Sequence, residues 1–131
     1  MPSDIEIVRA FARLSHATAE AFQRREEEWK PDELPTIVAM SCIGRELVGR
    51  IEDISVAELR AIFDSAEEIM TRGTGALATA VATGFLEAIL AQASAARFDF
   101  RRVAPFLGSE CKRYCREWDR FTGVVTEGLG A

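Results

Sequence analysis

Residues 73–96, GTGALATAVATGFLEAILAQASAA, contain the strongest indication of how this chain folds. It carries a single formal charge, on Glu87, and its apolar side chains would cover most of the circumference of a helix. Such a pattern is typical of a helix that is enclosed by others, whereas a surface helix keeps one polar face. We therefore predict a buried central helix around residues 76–95.

A membrane-spanning helix is the other structure that this stretch could form. At the centre of a bilayer the Glu87 carboxylate would cost roughly 2.5 to 3.5 kcal/mol, and the many alanines would offset little of that cost. Three threonines and Gln92 also interrupt the apolar residues. We therefore predict a buried helix of a globular protein, with no membrane association.

Capping residues mark helix ends on the N-terminal side of this stretch. Ser3 with Glu6, and Ser55 with Glu58, have the S-x-x-E spacing of a capping box, and apolar residues follow each box at helical spacing. Gly73 supplies a stop for the second of these helices. We expect one helix to begin directly after each serine.

Three further features divide the chain before residue 55. Ser15–His16 indicates a bend that could divide the first helix into two pieces, and Lys30–Pro31–Asp32 ends it. Pro35 lies in the first turn of another helix, where proline is tolerated. Gly44 and Gly49 would each weaken that helix by roughly 1 kcal/mol relative to alanine, so we expect a neighbouring helix to pack closely on both.

After the central helix the signals become shorter. Asp99 is a helix cap, and Pro105 permits only a short helix or a 3₁₀ turn. A final helix starts at Gly108–Ser109 and stops at Gly123, and we expect the tail from Val124 to fray. The cysteines and aromatic residues of this helix would share one face: Cys111, Tyr114, Cys115, Trp118 and Phe121.

The fold class follows from these elements together. No segment has the alternation of polar and β-branched residues that a strand requires. A chain of 131 residues builds one core, and its 48% apolar and 28% charged residues are near the average for globular domains. We predict an all-α fold in which residues 1–131 form a single domain of five or six helices.

Composition excludes several classes of function. A net charge of −5 opposes binding to a phosphate backbone, so we expect no nucleic-acid partner. There is one histidine, His16, and no phosphate-binding glycine loop, C-x-x-C pair or metalloprotease motif. We therefore expect neither enzyme activity nor a cofactor.

Cysteine usage and the first residues bear on the compartment. The chain opens with Met1–Pro2–Ser3–Asp4 and lacks the basic and apolar stretches of a secretory signal. Three cysteines, an odd number, argue against a disulfide framework. We expect reduced thiols and a cytoplasmic protein.

One group of side chains could bind a metal. His16, Cys111 and Cys115 would supply three soft ligands, but three ligands make an incomplete tetrahedral site. Free cysteines more often fill small spaces in a core. We therefore predict no metal.

Glu87 is a second candidate for chemistry, because a carboxylate on an enclosed helix needs a partner or a shifted pKa. It could be a general base. We expect instead a structural salt bridge to an arginine such as Arg45, Arg101 or Arg102, or a turn of the helix that reaches water.

Two charged segments are candidate partner-binding sites. The first, the acidic segment, consists of Glu26, Glu27, Glu28, Trp29, Asp32 and Glu33. An aromatic anchor with charged neighbours is typical of interfaces, although Trp29 could instead cover the edge of the core. The alternative, the basic stripe, consists of Arg113, Arg116 and Arg120 on the final helix. Ion pairs such as Arg113–Glu117 would make that stripe an ordinary solvated face.

Three short motifs carry a resemblance to a known family: TGFLE at 83–87, FLGSE at 106–110 and YCREW at 114–118. With them the chain resembles a family of small bacterial all-helical proteins of undefined biochemistry. Ser109 stands where that family often has proline, a difference that affects only a helix start. The family is similar to the small cytosolic proteins encoded beside bacterial polymorphic toxins, and this resemblance implies an immunity role.

An immunity-type protein that neutralises a cognate toxin by occluding it is therefore the function that we expect. Charge complementarity speeds the association of an acidic inhibitor with a basic toxin. The alternative is a self-associating helical scaffold or accessory domain without catalysis, which would form a homodimer through an exposed apolar patch.

Overall fold

A computed structural model, which describes residues 1–130, confirms the all-α prediction. Helices account for 75% of the chain, and no strand occurs in that range. The helices are α1 (Asp4–Ala12), α2 (His16–Trp29), α3 (Thr36–Gly49), α4 (Val56–Arg72), α5 (Gly75–Ser94) and α6 (Ser109–Thr122). Within α5 a π-helical segment joins two α-helical ones, so seven α-helical segments form six continuous helices around one core.

Serine side chains cap the N-termini of three of these helices. Ser3 accepts a hydrogen bond from the backbone of Glu6 at 3.3 Å, and the Glu6 carboxylate accepts one from the backbone of Ser3 at 3.1 Å. Ser55 and Glu58 form the same reciprocal pair at the start of α4. Ser15 caps α2, so the first predicted helix consists of two pieces.

The predicted central helix is α5. Phe85 on this helix is fully buried, and its ring centroid lies 5.2 Å from that of Phe11 and 5.6 Å from that of Phe63. Helices α3, α4 and α6 all contact α5. By length and composition α5 could cross a membrane, with a mean hydropathy of 1.5, but half of that stretch is buried inside the fold.

Close backbone approach joins α3 to the middle of α5. Gly84 lies in the π-helical segment Ala80–Leu86, where a Cβ atom would be 2.9 Å from a backbone carbonyl oxygen of α3. On α3, a Cβ atom at Gly44 would be 2.7 Å from the carbonyl oxygen of Phe85. Close packing is thus confirmed at Gly44. The prediction of close packing is wrong at Gly49. This residue is exposed at the end of α3, and a Cβ atom there would have no neighbouring atom within 4 Å.

Short 3₁₀ turns connect α5 to α6, as predicted for the segment around the proline. They span Phe100–Arg102 and Ala104–Phe106, and the Asp99 side chain caps the first turn by accepting a backbone hydrogen bond at 3.0 Å. Gly123 ends α6 in the left-handed region, with a φ of +78°. A residue with a Cβ atom rarely adopts this conformation, which explains the glycine.

The tail after α6 is docked, and the expectation of fraying from residue 124 is wrong for residues 124–130. The backbone N–H and the hydroxyl of Thr126 donate to the Asp119 carboxylate at 2.8 and 2.6 Å. Leu129 is only 3% exposed, and Arg116 donates to its carbonyl oxygen at 2.9 Å. Because α6 supplies these partners, the composition of the tail alone does not predict its docking.

Candidate functional site

The acidic segment lies at the C-terminal end of α2, where its three glutamates already have cationic partners. Glu26 forms an ion pair with Arg9 at 2.6 Å, which joins α2 to α1. Glu27 pairs with Lys30 at 2.9 Å, and Glu28 pairs with a neighbouring arginine of α2 at 3.4 Å. These pairs reduce the charge that the glutamates present to a partner.

The unpaired part of the acidic segment follows directly. Trp29 ends α2 with 37% of its surface exposed, and the chain then turns through the cis peptide bond Lys30–Pro31. The backbone N–H of Asp32 donates to the Trp29 carbonyl oxygen at 2.8 Å, which closes the turn. Asp32 and Glu33 are exposed, and neither forms an ion pair within residues 1–130. This turn therefore presents an aromatic ring with two free carboxylates.

The basic stripe on α6 does not form one patch of free cations. Arg113 pairs with Glu110 at 2.8 Å and with Glu117 at 2.9 Å, and these carboxylates raise the pKa of its guanidinium. The predicted Arg113–Glu117 pair is thus confirmed. Arg116 is engaged by the docked tail. Arg120 is exposed and forms no ion pair in the described part of the chain, so it is the cation that the stripe leaves available.

The predicted soft ligands have very different surroundings. The His16 side chain is 82% exposed at the start of α2, 3.6 Å from Glu20, whereas Cys111 and Cys115 are completely buried. Burial raises the pKa of Cys115 to about 12 and also raises that of Cys111, so both thiols are protonated at neutral pH. Between residues 1 and 130 no group of three or more His, Cys, Asp or Glu side chains is arranged to hold a metal ion.

Glu87 is half-buried, and its partner is a tyrosine. The Tyr114 hydroxyl, on α6, donates a hydrogen bond to the Glu87 carboxylate. Partial burial and this carboxylate raise the pKa of Tyr114. The predicted salt bridge is wrong, because the three arginines considered for it bond elsewhere, to Ser41, Asp99 and Glu52. Sequence spacing could not identify Tyr114, since only the packing of α6 on α5 brings the two residues together.

Two surface grooves lie beside the tail, and neither was predicted. One has a volume of about 620 Å³ and is formed by residues 93–94, 96–101 and 124–127. The other, here called the tail groove, has a volume of about 640 Å³ and is lined by Arg116, Asp119, Arg120, Gly123, Val124, Val125 and Gly130. Docking of the tail creates both, so a prediction of fraying could not anticipate them.

The predicted aromatic face of α6 is wrong at its last member. Cys111 and Cys115 are buried and Trp118 is half-buried, but Phe121 is 91% exposed. Residues 120–122 are all exposed, so the last turn of α6 lies outside the core.

Comparison with known proteins places the chain in a family. No curated protein and no solved structure matches it. A family profile described as a domain of unknown function (DUF7674) matches residues 6–123, which include all six helices but for the first two residues of α1. The chain therefore belongs to the DUF7674 family.

Proposed function

We propose that the protein binds another protein through the acidic segment, and that it neutralises a cognate toxin in the bacterial cytoplasm by occluding it. One observation carries this proposal. At the turn after α2, the exposed ring of Trp29 is followed by the exposed carboxylates of Asp32 and Glu33, which have no ion pair within residues 1–130. A basic partner could bury the ring and pair both carboxylates.

The electrostatics of the chain support a basic partner. The net charge of −5 attracts a basic surface over a distance of about one Debye length, which speeds encounter. The internal pairs of Glu26, Glu27 and Glu28 leave Asp32 and Glu33 as the carboxylates that a partner's cations would meet. The proposal assigns no catalytic role to His16 or Glu87.

The cytoplasmic location is supported by the cysteines. Cys42, Cys111 and Cys115 are all free thiols and all buried. A reducing compartment keeps thiols in this form, whereas secreted small domains commonly pair them.

The direct test is co-purification of the full chain with the product of the adjacent gene, followed by an assay of toxin activity and by calorimetric titration. Trp29→Ala should raise the Kd at least about tenfold, because a buried aromatic anchor contributes about 2 kcal/mol or more. Val56→Ala removes an exposed apolar side chain from α4 and is the matched control. It should leave the Kd unchanged.

A charge reversal at Glu33 tests the contribution of electrostatics to binding. Glu33→Lys should slow association at low salt and have less effect at high salt, since exposed charges act mainly on the association rate. Asp64→Lys, which reverses an exposed carboxylate on α4, controls for net charge. Unchanged binding by folded Trp29→Ala and Glu33→Lys would exclude the acidic segment and make Arg120 of the basic stripe the next candidate. No binding of the adjacent gene product by the wild-type chain would contradict the immunity role.

A further inference from the structure

The last turn of α6 and the tail expose two large apolar side chains almost completely. Phe121 and Val125 are each 91% exposed, whereas Trp29 is 37% exposed. The tail itself is held in place by Asp119 and Arg116, so this exposure belongs to an ordered surface. Burial of such side chains favours association, which makes this end of the molecule a candidate interface.

The tail groove provides a place for an apolar side chain. Its volume is about 640 Å³, and Gly123, Val124 and Val125 contribute to its lining. Phe121 does not line the groove, although Arg120 and Gly123 on either side of it in sequence do. Successive residues of a helix project about 100° apart, so the ring of Phe121 lies on one side of Glu117 and Arg120 and the tail groove lies on the other. A two-fold contact can use this arrangement twice, because the ring of each copy can enter the groove of the other.

Glu117 and Arg120 of α6 lie between the ring and the groove. Under the same two-fold symmetry, each of them can meet the oppositely charged residue of the second copy. Arg120 has no ion pair within residues 1–130. Glu117 is exposed, and only its Oε1 atom bonds to Arg113. Residues three apart lie on the same face of a helix, so a two-fold axis over α6 can bring Glu117 of each copy to Arg120 of the other.

We propose that this surface, consisting of Phe121, Val125, the tail groove, Glu117 and Arg120, binds a second copy of the same chain across a two-fold axis. The ring of Phe121 fills the partner's groove, and two Glu117–Arg120 pairs flank it. The surface is separate from the acidic segment, so dimerisation and toxin binding can be tested independently.

Sedimentation equilibrium of the full wild-type chain, from micromolar to millimolar concentration, tests the proposal first. The mass should rise from that of a monomer to that of a dimer and no further, because a two-fold contact closes on itself. Phe121→Ser should raise the dimer dissociation constant at least about tenfold, while Val56→Ser, at an exposed valine of α4, should not change it. A wild-type chain that stays monomeric over the whole range would overturn the proposal.

Charge exchange tests the two-fold arrangement. Arg120→Glu alone and Glu117→Arg alone each place like charges across the axis, so each variant should dimerise more weakly than the wild type. An equimolar mixture of the two should recover dimers, because both intermolecular pairs are then of opposite charge. Circular dichroism establishes that each variant is folded. A mixture that dimerises no better than the separate variants would show that Glu117 does not meet Arg120 of the other copy, and would overturn the arrangement.

Discussion

The carboxylate of Glu67, on α4, accepts a hydrogen bond from the backbone N–H of Cys111, in the first turn of α6, at 2.9 Å. Its other oxygen accepts one from the backbone N–H of Glu110 at 2.8 Å. Gly108, at the N-cap of α6, has no side chain that could bond these groups. The Glu67 side chain of the neighbouring helix α4 therefore caps α6. Its carboxylate also places a negative charge at the positive end of the α6 dipole.

Replacement of Glu67 tests this cap. Glu67→Ala should lower the free energy of unfolding by about 0.5 to 2 kcal/mol, because two backbone donors lose their acceptor. Glu67→Gln keeps one carbonyl oxygen, so its free energy of unfolding should lie between those of the wild type and Glu67→Ala. Urea unfolding provides the measurement, with Glu68→Ala as the control at an exposed site one residue along. Equal stability of the two alanine variants would show that the cap contributes nothing.

Alanine should have opposite effects at different glycines of α3 and α5. Gly44→Ala and Gly84→Ala place a Cβ atom within 3 Å of backbone carbonyl oxygens, so each should destabilise the fold by about 1 to 3 kcal/mol. Gly49→Ala meets no neighbouring atom and should stabilise by up to about 1 kcal/mol through helix propensity. Thermal unfolding of the three variants measures the order of their stabilities. A stabilising Gly84→Ala would contradict the close contact of α3 with α5.

The Tyr114–Glu87 hydrogen bond should contribute to stability. Tyr114→Phe removes the donor and leaves a half-buried carboxylate without it, at a cost of about 1 to 3 kcal/mol. In a chain that already carries Tyr114→Phe, Glu87→Ala should then cost less than it does in the wild type. A double-mutant cycle by urea unfolding measures the difference, for which we expect a coupling of at least about 0.5 kcal/mol. Additive effects would mean that the bond is not made in solution.

Stability should fall at alkaline pH. Burial raises the pKa of Cys115 from 9.0 to about 12, so the folded protein holds this proton more tightly than the unfolded chain does. The stabilisation is complete below the unfolded pKa and is lost as the pH rises towards the folded one. Above about pH 9 the ionisation of the unfolded thiol should lower the free energy of unfolding with a slope that approaches about 1.4 kcal/mol per pH unit. Urea unfolding at pH 7, 9 and 10 measures the slope. Cys115→Ala should reduce it, and an unaltered slope would contradict the role of this thiol.

The sequence predicts where most helices begin and end. The signals are local: the side chain of Ser55 bonds to a backbone group within the same turn, and the φ of Gly123 depends on that residue and its neighbours. The central helix could also be predicted, since an apolar run with one charge requires burial wherever the other helices lie. The acidic segment was found as a run of residues, but its internal ion pair with Arg9 was not.

The packing of the helices sets which polar groups meet and which apolar groups stay exposed. Glu67 bonds to a residue of α6 that is 43 positions away in sequence, and Tyr114 bonds to Glu87, which is 27 positions away. The tail is held because Arg116 of α6 donates to the carbonyl oxygen of Leu129. Helical periodicity predicts the face on which Phe121 lies, but it does not predict that the last turn of α6 lies outside the core. Burial and long-range hydrogen bonds depend on the length and crossing of packed helices, and neither quantity is encoded in a single turn.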